Sequence, residues 1–237
     1  MIVPMAEFLA EYVDSSSGLP KPSYDLWEQD YMTTTYSTAV TYGGLLAAAE
    51  LAAISGDEAH EVKWRTAAED IQVAAHKYLF NESRKSFYKG IRYDSGSTVP
   101  DQTIDLSAIF GSFMFGLFPI ESTEMKQSIQ TVSDAFGPTN EKPGLPRYEN
   151  DDYRRTDDSV TGNYWFITTL WHAQYLLEVG DSAGAQAILG WVKDHALSTG
   201  MLSEQINPKT SDTIAPAPLT WSHAEYVSTM LDSIERR

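Results

Sequence analysis

Two carboxylates, a tyrosine and a tryptophan fall within the stretch Tyr24-Asp25-Leu26-Trp27-Glu28-Gln29, shortly after the breaker run Gly18-Leu19-Pro20. Asp25 and Glu28 flank Trp27. Acid-catalysed cleavage of a glycosidic bond needs a proton donor beside the leaving oxygen, and an aromatic ring offers a platform for a sugar face. The same chemistry asks for a second carboxylate on the opposite wall. Glu204, in Gly200-Met201-Leu202-Ser203-Glu204-Gln205-Ile206-Asn207-Pro208, is the best candidate downstream, and Pro218-Leu219-Thr220-Trp221-Ser222-His223-Ala224 follows it.

Other chemistries find less support. Asp151, Asp152, Asp157 and Asp158 lack the spacing of a calcium loop and read as a solvated acidic segment. His172 and His223 have no second ligand one helical turn on, so no metal site and no cofactor is expected. Neither a glycine-rich phosphate loop nor a nucleophile elbow is present. Arg147 either neutralises the neighbouring Glu149, Asp151 and Asp152 or offers its fork of donors to a ligand. There are no cysteines, which excludes disulfide and thiol chemistry, and a net charge of −16 would repel a nucleic acid. The first residues lack the basic and apolar regions of a signal peptide, and no stretch approaches ~18 uninterrupted apolar residues. The expectation is a cytoplasmic protein with no membrane partner.

The elements that must position these residues are helical. Apolar periodicity predicts helices over 1–14, 33–55, 57–79, 102–118, 121–136, 165–179, 181–197 and 220–237. Asp57 is the expected N-cap of the third, and 87–93 reads as a short strand or extended loop. Helices that are apolar on most faces (33–55, 102–118, 165–179) alternate with amphipathic ones (57–79, 121–136, 181–197). Inner helices of a toroid are covered on both sides and outer ones on one, so the alternation favours helical hairpins around a centre. Two long loops, 137–161 and 198–218, would gather at one end. The fold class expected is all-α, a toroid, and no linker divides 1–237, so a single domain is expected.

The chain resembles glycoside hydrolase family 15, the glucoamylase family. The resemblance rests on five ordered blocks: Gly18-Leu19-Pro20 with Ser23 to Glu28, Leu145-Pro146-Arg147-Tyr148, Asn163-Tyr164-Trp165-Phe166, Leu202-Ser203-Glu204-Gln205, and Pro218 to Ala224. It implies an (α/α)6 barrel and inverting, exo-acting hydrolysis of α-glucosidic bonds in malto- or isomalto-oligosaccharides or related α-glucosides. By motif position Glu28 is the expected general acid and Glu204 the expected general base, as catalytic residues. Tyr24, Asp25, Trp27, Gln29, Arg147, Tyr148, Trp165 and Trp221 are the expected substrate-binding residues. Asp25 would help hold the acid loop. Inverting pairs stand about 6.5–9.5 Å apart to admit the attacking water.

Two departures accompany the resemblance. Gln29 stands where many members carry a second glutamate, which bears on leaving-group recognition. The barrel should have twelve helices where about eight are predicted, so the chain corresponds to the C-terminal two-thirds of a catalytic domain. The first two hairpins, with a Trp- and Arg-Asp-containing segment that grips the non-reducing sugar, would be missing. The alternative expectation is therefore a catalytically incomplete carbohydrate-binding segment that self-associates or takes an N-terminal complementing segment.

Overall fold

The computed structural model describes residues 1–94 and 97–236. Eight helices occur among them, and the chain forms two compact units, Met1–Thr131 and Val132–Arg237.

In the first unit, α1 (Ile2–Glu11) and α3 (Glu58–Tyr78) pack against α2 (Thr35–Ser55). Small residues permit the close approach of α2 to α3: Ala39, Ala48, Ala49 and Ala52 are buried on α2, and Ala68, Ala74 and Ala75 on α3. Thr34 caps the start of α2 by accepting the Ser37 N–H at 2.9 Å, and Gly56 ends it at φ 76°. Asp57 caps α3 as expected, accepting the His60 N–H at 3.3 Å. By length and composition alone α2 would also pass as a membrane-crossing helix, and it packs here against α1, α3 and α4. Its cover is one-sided: Val40, Leu51 and Ile54 are exposed.

The helix expected over 102–118 is shorter, α4 (Leu106–Met114). Asp105 sets its start by accepting the Ser107 N–H, and residues 102–104 are an irregular connection from a sheet that ends at Asp101. That sheet has the order β1 (Ser23–Tyr24), β2 (Tyr31–Thr34), β5 (Gly90–Asp94), β6 (Ser97–Asp101), all antiparallel. A separate pair, β3 (Phe80–Asn81) and β4 (Ser86–Phe87), leads into it. Leu106 to Ser112 are all buried, as an inner helix requires. Helix α5 (Thr123–Phe136) crosses from the first unit into the second.

In the second unit, α6 (Phe166–Glu178) and α7 (Ser182–Asp194) make a hairpin, and α8 (Thr220–Glu235) packs on α6. Phe166, Leu170, Ala173 and Leu177 meet Ala185, Ile188, Leu189 and Val192 in one core, which Leu202 and Ile206 complete. Every residue from Phe166 to Trp171 is buried, which explains the continuous apolar run of this segment. Three two-residue strands, β7 (Tyr164–Trp165), β8 (Gln205–Ile206) and β9 (Thr213–Ile214), tie the two long loops to the helices.

Two outcomes follow from this packing. Gly90 abuts β2 so closely that an added Cβ would stand 2.5 Å from the Thr33 carbonyl oxygen, which is backbone and cannot rotate away. Gly90→Ala is expected to cost ~1–3 kcal/mol in urea unfolding. On α6, burial lowers the His172 pKa from 6.5 to about 4, against a smaller opposing pull from Asp181. Between these values the unfolded chain takes up a proton that the folded chain refuses, so stability falls as pH drops from 6.5 towards about 4. One proton gives a slope of at most ~1.4 kcal/mol per pH unit. Unfolding of His172→Gln across that range should show a correspondingly shallower dependence.

Candidate active site

The Glu28 loop hangs between two paired strands. Tyr24 faces Tyr31 across the β1–β2 ladder, their rings edge to face at 5.4 Å, and the Asp25 N–H donates to the Asp30 carbonyl at 2.9 Å. Inside this closure, Asp25 Oδ1 accepts the N–H groups of Gln29 (2.7 Å) and Asp30 (3.1 Å), and its carbonyl accepts the Glu28 N–H. Asp25 is buried, which agrees with its expected role in holding the loop. Glu28 sits at the tip with φ 57°, a left-handed conformation that a glutamate adopts only where its surroundings impose it. Its side chain and that of Gln29 are exposed, and Tyr24 is exposed beside them.

Trp27 lies differently from its neighbours. It is 8% exposed, and its indole N–H donates to both carboxylate oxygens of Asp105, at 3.0 and 3.2 Å. Asp105 is fully buried, and burial raises its pKa against the opposing effects of Lys89, Ser107 and Trp27. Lys89, 5% exposed, points its ammonium at three carboxylates: Asp30 at 2.7 Å, Asp25 at 3.2 Å and Asp105 at 3.9 Å. Asp25 Oδ2 is buried with no hydrogen bond, so its compensation is the charge of Lys89. Burial alone would lower the Lys89 pKa; Asp105, Asp30 and Asp25 together raise it above 10.5. On the outer side, Arg92 bonds Asp30 and Asp101.

The second unit brings together Arg147, Tyr148 and Trp165. Arg147 is buried and makes a two-pronged ion pair with Asp151, Nε to Oδ2 at 2.8 Å and Nη2 to Oδ1 at 2.7 Å. Its guanidinium lies 4.7 Å from the Trp165 ring centre and 5.0 Å from those of Tyr148 and Tyr153. Of the two roles weighed for Arg147, neutralising an acidic neighbour is thus realised by Asp151.

Strand pairing sets Gln205 opposite Trp165. Gln205 is fully buried; its Oε1 accepts from Asn163 Nδ2 at 2.7 Å, and its Nε2 donates to Glu204 Oε2 at 2.9 Å. Asn163 is fixed in turn by donating to the Arg154 carbonyl and accepting from Thr156. Glu204 is partly exposed, so the amide relay orients a carboxylate that solvent still reaches. Its N–H donates to the Pro216 carbonyl, while Ser222 and His223 hold the residues before it: Ser222 donates to the Ser203 carbonyl, and His223 Nε2 accepts the Leu202 N–H. Trp221, half-buried, stands edge-on to Trp171 at 6.0 Å and donates to Glu225.

Several of these residues had no assigned role in the sequence. Lys89, Asp105, Asn163 and Gln205 reach the site through contacts between distant segments. Asn163 and Gln205 stood within two of the five ordered blocks without a role of their own, and Asp105 left a local trace as an N-cap-type residue ahead of Leu106-Ser107. Among the described residues, no group of three or more histidines, aspartates or glutamates is placed to hold a metal ion. The Arg147–Asp151 pair generates a stability outcome. Arg147→Met leaves Asp151 buried without its cation and is expected to cost ~3–5 kcal/mol in chemical unfolding.

Comparison with known proteins bears on the whole arrangement. The chain is 27% identical over 219 residues to an uncharacterized glycosyl hydrolase of Methanocaldococcus jannaschii, covering 87% of the chain and 33% of that protein. It is 23% identical to a glucoamylase of Blastobotrys adeninivorans, covering 90% of the chain and 44% of that enzyme. It therefore spans less than half the length of either curated relative. Among solved structures, a bacterial glucoamylase complexed with acarbose superposes with a TM-score of 0.82 over the whole chain and 38% of its own, at 18% identity. The glucoamylase of Saccharomycopsis fibuligera gives 0.78 over 99% of the chain and 61% of its own, at 16% identity. These likenesses establish the fold as an incomplete α/α toroid. The model of the glycosyl hydrolases family 15 matches residues 4–188 and 181–231, and the chain belongs to that family.

Proposed function

We propose that the chain carries both catalytic carboxylates of an inverting, exo-acting α-glucoside hydrolase and forms part of a single catalytic domain. The observation that carries this reading is Glu28: an exposed carboxyl on a loop whose neighbours on both sides are pinned by Asp25 and Asp105. In the proposed reaction Glu28 gives its proton to the glycosidic oxygen as the bond from C1 to that oxygen breaks. Water attacks C1 from the opposite face and loses a proton to Glu204, so an α-glucoside yields β-glucose. The Asn163–Gln205–Glu204 relay supports the base role, because the Gln205 amide donates to Glu204 and fixes the direction in which its carboxyl group faces. The structural relatives complexed with acarbose and with glucose favour an oligosaccharide of glucose units as substrate. Malto-oligosaccharides, isomalto-oligosaccharides and trehalose are the substrates to compare.

A second reading is a carbohydrate-binding segment completed by another copy or by a preceding segment. Proton NMR of the first product separates the two. β-Glucose supports the hydrolase, α-glucose overturns inversion, and sugar binding without turnover supports the incomplete segment. Glu28→Gln and Glu204→Gln should each lower kcat ~100-fold or more if the two carboxylates act as acid and base.

A further inference from the structure

We propose that Lys89 is a positioning residue for Glu28, an inference that rests on Glu28 being the proton donor. The residues on either side of Glu28 are each connected to the Lys89 ammonium through one carboxylate. On one side, Trp27 donates to Asp105, which stands 3.9 Å from Lys89 Nζ. On the other, Gln29 donates its N–H to Asp25, which stands 3.2 Å from the same nitrogen. The far end of the loop, Asp30, is bonded to it at 2.7 Å.

Lys89 thus sets where the loop closes and how its tip faces. The three carboxylates, buried at Asp25 and Asp105 and partly exposed at Asp30, gather around one cation, and mutual repulsion would drive them apart without it. Arg92 does not duplicate this role, since its ion pairs are with Asp30 and Asp101 and its side chain is 43% exposed. The left-handed backbone at Glu28 persists only while the loop is held from both sides. Lys89 itself touches no reacting atom; it acts through Asp25, Asp30 and Asp105. Misplacing a proton donor by an ångström slows the chemical step while leaving the sugar contacts in place.

The test pairs turnover with hydrogen exchange in the full chain. Lys89→Met is expected to lower kcat by ~10–100-fold with KM changed less than about threefold. It should also speed exchange of the Gln29 and Asp30 amides by about tenfold relative to amides of Leu170 and Ala173 in α6. Asp30→Asn, which neutralises the carboxylate paired with both Lys89 and Arg92 and keeps the buried cation with Asp25 and Asp105, should shift both readouts the same way by a smaller factor and serves if Lys89→Met does not fold. Lys126→Met, at an exposed ion pair with Glu121, is the control that should move neither. Unchanged exchange at Gln29 and Asp30, or exchange that rises equally everywhere, overturns the proposal. So does a loss confined to KM. Should the unmodified chain fail to cleave any α-glucoside, the hydrolase reading falls, while the exchange comparison still decides whether Lys89 clamps the loop.

Discussion

The buried ammonium of Lys89 is the interaction on which the first unit's functional loop depends. Bringing one cation and the two carboxylates of Asp25 and Asp105 out of water is costly, and their attraction offsets that cost only when the remaining polar atoms are also satisfied. Asp105 meets this condition through Ser107 and Trp27, and Asp25 through two backbone N–H groups. Asp30 takes a further bond from Arg92. The second unit solves a similar problem with Arg147, whose planar fork matches Asp151 and whose faces lie near aromatic rings. In each unit a buried cation gives shape to a loop that has little regular structure of its own.

Much of the helical scaffold was legible because its signals are local. Asp57 and Gly56 punctuate the boundary between α2 and α3, and the apolar run from Phe166 to Trp171 announces a helix covered on all sides. The start of α4 was misplaced because residues 102–104 form an irregular connection between β6 and the Asp105 cap, a stretch too short for periodicity to separate from the helix. The two-residue strands were illegible for a related reason: two residues carry no alternation to detect. The apolar character of α2 suggested cover on both sides, yet Val40, Leu51 and Ile54 face outward. Composition reports how apolar a helix is and not what stands beside it.

The candidate site was legible to a different extent. Glu28 and Glu204 stood out because carboxylates lay within short, distinctive blocks. Lys89 and Asp105 did not stand out, since they act across the fold and lie outside those blocks, while Asn163 stood within one and was given no role. Trp27 shows the limit of reading by residue type. An aromatic beside an acid suggested a sugar platform, but its indole is largely enclosed and bonded to Asp105. The features that present a functional carboxylate are often less conspicuous than the carboxylate.

Asp105 has one more consequence, because it belongs to two structures at once. The same carboxylate that begins α4 receives the indole N–H of Trp27. Fraying of the first turn of α4 would therefore release Trp27, and withdrawal of Trp27 would weaken the turn. Loop and helix start form a single cooperative opening unit, with a free energy of local unfolding that neither would have alone. A surface loop that would ordinarily fluctuate with its own low barrier instead inherits the rigidity of a buried helix.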